Sequence, residues 1–565
     1  MKKSIIAILC ITTILLIGVL SGCELVESLT GNGAENIAVP ENTDGQDTTQ
    51  AAEAVTDDSV TAEEVTGDFS IQTSDGTYTQ SDNIYTITST GTYTLEGALN
   101  GQIVVDAGDD DVIVIELNGT TISYSLDSPI KILNADEVEI SAKSGTDNII
   151  KDLRSNKTTD TDTQGEGAIY AKCDLKIKGT GTLVITANYN NGIHTTKDLT
   201  IQKLSLKVTA YNNAIKGNDS ITIKSGTIVA ISTNGDGIKT ENTDANKKGV
   251  TRGDITIGGG SIAVYAAGDG IQAAHNFTMT SDDGETSANV TIYTGSYSGY
   301  TASSASTTSY KGVKVQNILL IEAGTITIHS YDDGLHADYG TTFEDGTTGT
   351  GTITIAGGTV TCAVYAPANK TATGRQGPGG WGGQQTVSGA DAIHADYTLN
   401  ISGGTVTVDS SYEGLEATII NISGGYTVVS ATDDGVNAAK KVNTTPQINV
   451  TGGYLEVNLN PNGDTDGIDS NGTYTQSGGV VVAKGPANTM AAALDTDGTA
   501  KITGGTLIIL GGLGERGIST SGVSSKSLSL HSSGSHTVTI DGTQYTFTNA
   551  YSYSKTICYS SVSVS

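Results

Sequence analysis

Acidic side chains recur at the first position of a short pattern in this chain. The pattern is an acidic or amide residue, Gly or Ala, an aliphatic residue, any residue and a small residue, as in DGIKT (236–240) and DGLHA (333–337). Carboxylate oxygens with few Lys or Arg among them are the ligands that Ca²⁺ prefers. Along the chain the first position is occupied by Asn191, Asn213, Asp236, Asp269, Lys311, Asp333, Asp391, Glu413, Asp434 and Asp466.

If successive copies of the pattern stack, these acids form a column. Two carboxylates about 5 Å apart repel each other by roughly 3 kcal/mol at an effective dielectric constant of about 20. Cations, raised pKa values or solvation must relieve that repulsion. The alternative is that Asp and Asn only cap turns and are solvated. The predicted calcium ligands are Asp236, Asp269, Asp333, Asp391, Glu413, Asp434 and Asp466, together with the nearby Asp338, Asp396 and Asp469.

The position after the aliphatic residue alternates to the outer face of a strand, so it can meet a ligand. Lys239 and Lys314 lie there and are candidate bases for proton removal from a uronate in a calcium-assisted lyase. His336 and His394 occupy the same position and offer imidazole nitrogens to a metal or a sugar. The alternative for each of them is a solvated strand face.

Aromatic side chains near the pattern are candidates for stacking on sugar rings. Tyr is abundant in the chain, with 24 residues, whereas Trp occurs once. Tyr is also favoured in strands for its shape alone, so position within the pattern does not separate the two roles. The candidate sugar contacts are His336, His394, Tyr331, Tyr397, Tyr412 and Trp381.

The spacing of the pattern predicts the fold that must position these side chains. Ile193, Ile215 and Ile238 are 22 and 23 residues apart, and each interval holds three short β-branched runs bounded by Gly, Asn, Asp or Ser. A period of about 20–30 residues is typical of one unit stacked on copies of itself. Three strands with three turns per period predict an all-β protein, a parallel β-helix with about 22 residues per coil.

The domain prediction follows from composition along the chain. Residues 1–22 resemble a bacterial lipoprotein signal peptide, with Cys23 as the lipidated residue that anchors the protein to the membrane, facing outward. Residues 23–66 are an acidic flexible tether. Residues 67–522 are predicted to form the β-helix, and 523–565 a C-terminal β cap. The net charge of −31 disfavours nucleic acid as a partner.

Three sequence features together resemble a known family. They are the stretch from Gly91 to Ser123, the repeated D-G-[IL]-x-A pattern and the PGGWGG insertion. They resemble the clostridial-type carbohydrate-binding β-helix family of cell-surface proteins over roughly residues 67–530. The resemblance implies a right-handed parallel β-helix similar in fold to pectate lyases, bound calcium, and binding to cellulose and to acidic sugars such as polygalacturonate.

The predicted function is therefore calcium-dependent, non-catalytic binding of plant cell-wall polysaccharide at the bacterial surface. One alternative is a calcium-dependent polysaccharide lyase that uses Lys239 or Lys314 as its base. A second alternative is a surface adhesin or spacer whose acids are only solvated.

Overall fold

The computed structural model describes residues 67–156, 165–281, 287–295, 309–364, 389–488 and 491–565, all within a unit that runs from Asp44 to Ser565. These residues form 48 strands and no α-helix, which confirms the all-β prediction. A search of the same residues for a helix long and apolar enough to cross a membrane found none. Cys23, Trp381 and the predicted segments 1–22 and 23–66 lie outside the described residues.

The first strands depart from the repeat seen later. Two antiparallel pairings, of residues 69–72 with 94–97 and of 78–81 with 84–87, precede the parallel ones. These strands are β1 (Phe69–Gln72), β2 (Tyr78–Ser81), β3 (Ile84–Ile87), β4 (Gly91–Asn100), β5 (Gln102–Asp106), β6 (Val112–Tyr124), β7 (Ile130–Asn134), β8 (Glu137–Ala142) and β9 (Asp147–Asp152).

The middle of the chain repeats three strands in a fixed order. An antiparallel hairpin, β29–β30, interrupts the order once. The strands are β10 (Gly167–Ala171), β11 (Asp174–Gly179), β12 (Thr182–Ala187), β13 (Asn191–Thr195), β14 (Asp198–Gln202), β15 (Ser205–Ala210), β16 (Ile215–Gly217), β17 (Ser220–Ile223), β18 (Thr227–Ser232), β19 (Ile238–Lys239), β20 (Asp254–Ile257), β21 (Ser261–Ala266), β22 (Ile271–Ala273), β23 (Phe277–Met279), β24 (Asn289–Thr294), β25 (Val313–Val315), β26 (Ile318–Ile321), β27 (Thr325–Ser330), β28 (Leu335–Ala337), β29 (Tyr339–Thr342), β30 (Thr348–Thr350), β31 (Thr352–Ile355) and β32 (Thr359–Val364).

The C-terminal part continues the repeat and then leaves it. Some strands here are long enough to serve two positions of the repeat. They are β33 (Ile393–Ile401), β34 (Thr405–Ser410), β35 (Leu415–Ile422), β36 (Tyr426–Ser430), β37 (Val436–Ala438), β38 (Gln447–Val450), β39 (Tyr454–Asn458), β40 (Ile468–Ser470), β41 (Thr473–Lys484), β42 (Leu494–Thr496), β43 (Ala500–Leu510), β44 (Ile518–Thr520), β45 (Ser524–Ser527), β46 (Gly534–Ile540), β47 (Thr543–Asn549) and β48 (Thr556–Ser560).

Each repeated strand pairs in parallel with its equivalent in the next repeat. Thus β10 pairs with β13, β11 with β14 and β12 with β15. The strands that carry the acidic pattern, together with β10 before them and β42 after them, form one column. We call it the signature column: β10, β13, β16, β19, β22, β25, β28, β33, β35, β37, β40 and β42. Its aliphatic residues lie in register, so Ile193 pairs with Ile215 and Ile215 with Ile238.

The core lies between the strand columns and is built from alternate residues. In β11 the apolar Leu175 and Ile177 are buried while the intervening Lys176 is half-buried. The aliphatic residues of the signature column are fully buried, as are the small residues two positions later, such as Ala273 and Ala337. The period-2 pattern therefore places the first position of each signature where the chain enters its strand, beside its equivalents in the repeats on either side.

Paired glycines turn the chain at the same place in each C-terminal repeat. The second glycine of each pair has a φ near +75°, a conformation in which a Cβ is strained. A Cβ on Gly479 would also lie 2.6 Å from the carbonyl oxygen of Gly452, the first glycine of the stacked pair in the neighbouring repeat. Close stacking of backbone on backbone explains the repeated Gly-Gly. These glycines are Gly404, Gly425, Gly453, Gly479 and Gly505.

The last strands pair in the opposite sense from the repeats. Strand β48 runs antiparallel to both β43 and β45, and β46 and β47 form a separate hairpin. Val538, Ile540 and Phe547 from that hairpin pack against Val480 and Val482 on the outward face of β41. This segment covers apolar surface of the last repeats.

Candidate functional site

The first residues of the signatures form a hydrogen-bonded ladder. One side-chain oxygen of each Asp or Asn accepts the backbone N–H of the equivalent residue in the next repeat. Asp236 accepts from Asp269 at 2.8 Å, Asp333 from Asp391 at 2.7 Å and Asp434 from Asp466 at 2.7 Å. A short side chain with an oxygen at this distance is what the ladder requires. The second carboxylate oxygen of each Asp takes no part in the ladder.

Lysines neutralise the second oxygens in the middle of the column. The Lys239 amine lies 2.9 Å from Asp236, and the Lys311 amine lies 2.6 Å from Asp333 and 3.1 Å from Asp332. Burial raises the pKa of Asp333, but the charge of Lys311 opposes it and holds that pKa well below its usual value. The acids that sequence analysis placed in a calcium shell are here paired with protein cations.

Two stacked histidines extend this compensation. The rings of His336 and His394 lie 4.7 Å apart, centroid to centroid, and are nearly parallel. In each ring Nδ1 lies 2.8 Å from the Asp three residues earlier, Asp333 or Asp391. The other nitrogens face Asp338 at 2.8 Å and Asp396 at 3.3 Å.

The His394 ring carries a positive charge among these acids. Burial lowers its pKa, but the hydrogen bonds that the ring donates to Asp391, Asp396 and Glu416 outweigh burial and raise the pKa well above 6.5. The Lys441 amine lies 2.6 Å from Glu416 on its other side. Both histidines are more than nine-tenths buried and their nitrogens face carboxylates, and His394 acts here as an internal counter-ion.

The position after the aliphatic residue was predicted to face outward, with a solvated strand face as the alternative to a ligand contact, but at most repeats this side chain is buried. Neighbours in register cover these side chains above and below, and the first-position acids bond to several of them. Those less than a tenth exposed are His194, Lys216, His336, His394, Glu416 and Asn437.

The pairing of acids with lysine and histidine side chains ends toward the C-terminal end of the signature column. Asp466, Asp469 and Asp495 each place one carboxylate oxygen within 4.8 Å of the others, and all three side chains are partly exposed. Among the described residues no Lys, Arg or His nitrogen forms an ion pair with them or with Asp434. We call Asp434, Asp466, Asp469 and Asp495 the uncompensated acids.

Burial and mutual repulsion raise the pKa values of three of the uncompensated acids, Asp434, Asp466 and Asp469. Burial, followed by the neighbouring Asp433, Asp469 and Asp466, raises the pKa of Asp434 to about 8. Burial and neighbouring acids likewise raise the pKa of Asp466 to about 6 and that of Asp469 to about 7. This group therefore has the charge and the open face that a divalent cation needs.

Two other predicted ligands, the buried Asp269 and the partly buried Glu413, form no ion pair with another residue in the part of the chain that the structure describes. Burial and Asp236 raise the pKa of Asp269 to about 6. Burial and the acids Glu416, Asp391 and Asp434 raise the pKa of Glu413 to about 10, with the Asn437 amide donating to it at 3.1 Å. Glu413 is thus neutral near pH 7, and it lowers the charge of the column without a metal.

The lysines considered as lyase bases both face acids. Burial lowers the pKa of Lys239, but Asp236 and Glu241 outweigh it, so its pKa is raised. A raised pKa keeps the amine protonated and unable to accept a proton. The Lys314 amine lies 3.6 Å from Asp338.

Tyrosines flank the signature column where its strands begin and end. Tyr331 precedes Asp333 and packs edge-on against Tyr310 at 5.8 Å. Tyr397 follows Asp396 and packs edge-on against Tyr339 at 5.8 Å, and Tyr339 is 49% exposed. Burial and Asp433 raise the pKa of Tyr412, which precedes Glu413. These half-buried rings border the column.

Sequence reasoning missed the ladder and the pairing of Lys441 with Glu416. The ladder had a signal, since Asp or Asn fills the first position in eight of the ten copies whereas Glu occurs once. Sequence reasoning also missed Ile130, Ile169 and Leu494, which extend the stack of aliphatic residues beyond the full pattern.

Comparison with known proteins identifies relatives of this chain. A carbohydrate-binding domain-containing protein of Acetivibrio thermocellus is 38% identical over 132 residues, which are 23% of this chain and 44% of that protein. The match therefore spans less than half of the relative. The solved structure of a polysaccharide lyase-like protein from C. thermocellum, a gadolinium derivative, is 33% identical with a TM-score of 0.38, covering 44% of this chain and 91% of that one.

The family model for carbohydrate-binding domain-containing proteins matches residues 81–364, half of this chain. The match includes the compensated part of the signature column as far as His336 and ends before the uncompensated acids. This chain belongs to the family of carbohydrate-binding domain-containing proteins.

Proposed function

We propose that this protein binds cell-wall polysaccharide through Ca²⁺ held by the uncompensated acids, without cleaving the polymer. Membership of a carbohydrate-binding family supports the polysaccharide part. The convergence of Asp466, Asp469 and Asp495 carries the calcium part, because their oxygens lie together, partly exposed and without a protein cation among the described residues.

The chemistry of Ca²⁺ explains how such a site binds an acidic sugar. Ca²⁺ takes six to eight oxygen ligands, more than three carboxylates supply, so positions remain for water or a uronate carboxylate. A protein of net charge −31 repels polygalacturonate, and a bridging cation reverses the sign locally. Cellulose lacks carboxylates, so its binding would depend on the tyrosines that border the column.

Two parts of this proposal concern architecture and location. Parallel pairing of each strand with its equivalent in the next repeat supports a right-handed parallel β-helix, the hand that parallel crossovers prefer. An experimental structure with left-handed winding would exclude that hand. Lipidation at Cys23 would place the protein on the outer face of the membrane. Release of a Cys23→Ala variant into the medium, with retention of the wild type, tests this.

Removing two of the uncompensated acids is expected to abolish calcium-dependent binding. In the double variant Asp469→Asn/Asp495→Asn, two of the three converging carboxylates lose their charge. We expect the calcium affinity to fall more than about 100-fold, since each charge-bearing ligand contributes about 1.5–3 kcal/mol. Calcium should then no longer raise the melting temperature, and retention on polygalacturonate gels should be lost.

Asp147→Asn is the matched control, because Asp147 is an exposed acid on β9, away from the signature column. This control should bind calcium and polygalacturonate as the wild type does. A chelator should reduce the polygalacturonate binding of the wild type to that of the double variant. Unchanged calcium and polygalacturonate binding by the double variant would exclude this site. If unsaturated, ultraviolet-absorbing polygalacturonate ends accumulate in the same incubation, the protein is a lyase and the non-catalytic binding function is excluded.

A further inference from the structure

A buried polar cluster lies beneath the C-terminal hairpin. Its centre is Lys484, the last residue of β41, whose side chain is 0% exposed. The Lys484 amine lies 2.6 Å from Glu456 Oε1, 2.7 Å from Asn458 Oδ1 and 2.8 Å from the carbonyl oxygen of Thr548. Glu456 and Asn458 lie on β39, the parallel neighbour of β41.

The surroundings exclude water from the amine. The hairpin β46–β47 packs over this face, and the ring centroid of Phe547 lies 5.0 Å from the Lys484 amine. The Tyr454 hydroxyl donates to Glu456 Oε2 at 2.8 Å, which orients the carboxyl group so that its other oxygen meets the lysine. Burial lowers the pKa of Lys484 against the opposing charge of Glu456. A desolvated amine gives up its proton more readily and becomes a nucleophile, and the neighbouring carboxylate can accept that proton.

We propose that Lys484 and Asn458 are joined by an intramolecular isopeptide bond, with Glu456 transferring the proton. The structure places an amine, a carboxamide and a buried carboxyl group together, and the amine already touches the amide oxygen. Holding the reacting groups in contact in a water-free site supplies the proximity that such a reaction needs.

The reaction needs no other reactant. Glu456 takes a proton from the Lys484 ammonium, and the Nζ lone pair attacks Cγ of Asn458 to form the new C–N bond. Glu456 then delivers this proton to the amide nitrogen, the old C–N bond breaks, and ammonia leaves. Glu456 accepts the second Nζ proton as the new amide forms and passes it to the departing ammonia. An ammonium group and a carboxamide thus become a secondary amide and an ammonium ion, with no change in oxidation state.

The bond would connect two consecutive repeats covalently beneath the C-terminal segment. It would resist unfolding of the end of the repeat, where strands lose their next neighbour. An ion pair of Lys484 with Glu456 accounts for the contact with the acid. The other two N–H groups of an ammonium would be met by Asn458 Oδ1 and the Thr548 carbonyl oxygen, so the unreacted and the linked forms share these contacts and differ in mass.

Mass spectrometry of the purified full chain, digested with trypsin after unfolding, tests the proposal. Between Lys441 and Lys501 the only trypsin site follows Lys484. The expected product is one uncleaved peptide, residues 442–501, lighter than its sequence by one ammonia molecule and lacking fragment ions between Asn458 and Lys484. Separate peptides 442–484 and 485–501 at full mass would overturn the proposal.

Three variants distinguish ammonia loss that accompanies the isopeptide bond from ammonia loss at other asparagines. The Asn-Gly pairs at 462–463 and 471–472 lie in the same peptide and can lose ammonia by cyclising on their own backbone. Lys484→Arg keeps the charge and the trypsin site, and Glu456→Gln keeps the shape. Both should restore the two full-mass peptides, while the control Asn460→Ala should keep the linked one. Ammonia loss that persists in Lys484→Arg and Glu456→Gln would assign it to the Asn-Gly pairs and overturn the bond.

Discussion

Replacing Lys311 by Met is expected to lower the free energy of unfolding by about 3 kcal/mol, the low end for breaking a buried ion pair by removing one partner. The Lys311 amine contacts both Asp333 and Asp332, and the side chain of Asp333 is only 6% exposed. Without the amine, a buried carboxylate keeps its desolvation cost. His336 still touches the same oxygen at 2.8 Å, which limits the loss. Unfolding in urea, followed by circular dichroism, measures the change.

The matched control for this variant is Lys197→Met, because Lys197 is about half exposed and its amine lies a long 3.9 Å from Asp219. It should change stability by less than about 1 kcal/mol. The double variant Lys311→Met/Asp333→Asn should recover part of the loss, since Asn keeps an oxygen for the ladder bond to Asp391. Equal stabilities of Lys311→Met and Lys197→Met would contradict the role of Lys311 as an internal counter-ion.

The effect of Lys311→Met should depend on pH with a definite sign. The folded pKa of Asp333 is held below that of the unfolded chain. Its ion pair therefore stabilises the protein above about pH 4, and that contribution is lost as pH falls. The difference between wild type and variant should shrink accordingly in acid.

Calcium affinity is expected to rise more than about 100-fold from pH 5 to pH 8, because calcium must displace protons from the uncompensated acids. Asp434, Asp466 and Asp469 have pKa values raised to about 8, 6 and 7. At pH 5 a carboxyl group with a pKa of about 7 is ionised in only about 1% of molecules, which costs about 100-fold in affinity. Titration calorimetry at several pH values measures this change.

The metal-free protein should show the opposite trend in stability. A carboxyl group whose folded pKa is raised contributes stability below the unfolded pKa of about 4, and that stability is lost as pH rises through the folded value. The stability of the metal-free protein should therefore fall as the pH rises from about 4 to about 8. Calcium should raise the melting temperature more at pH 8 than at pH 5. An effect independent of pH, or unchanged in Asp469→Asn, would contradict the assignment.

Much of the fold follows from the sequence because it depends on local rules. Alternation of β-branched residues predicts strands, and a constant interval between Ile193, Ile215 and Ile238 predicts that they stack, which their register confirms. Stacked repeats contact their neighbours in space at equivalent positions, so a one-dimensional period is enough to place each residue. The all-β class and the in-register column both come from this period.

Which acids of the signature column are paired with a cationic side chain could not be predicted in the same way. The sequence by itself determined that acids such as Asp333 and Asp466 occupy equivalent positions. Only the tertiary structure decided that Lys311 neutralises the first while the second has no cation among the described residues. The reason is distance: an amine or imidazole compensates a carboxylate within about 4 Å, and long side chains reach across repeats in directions that sequence spacing does not specify.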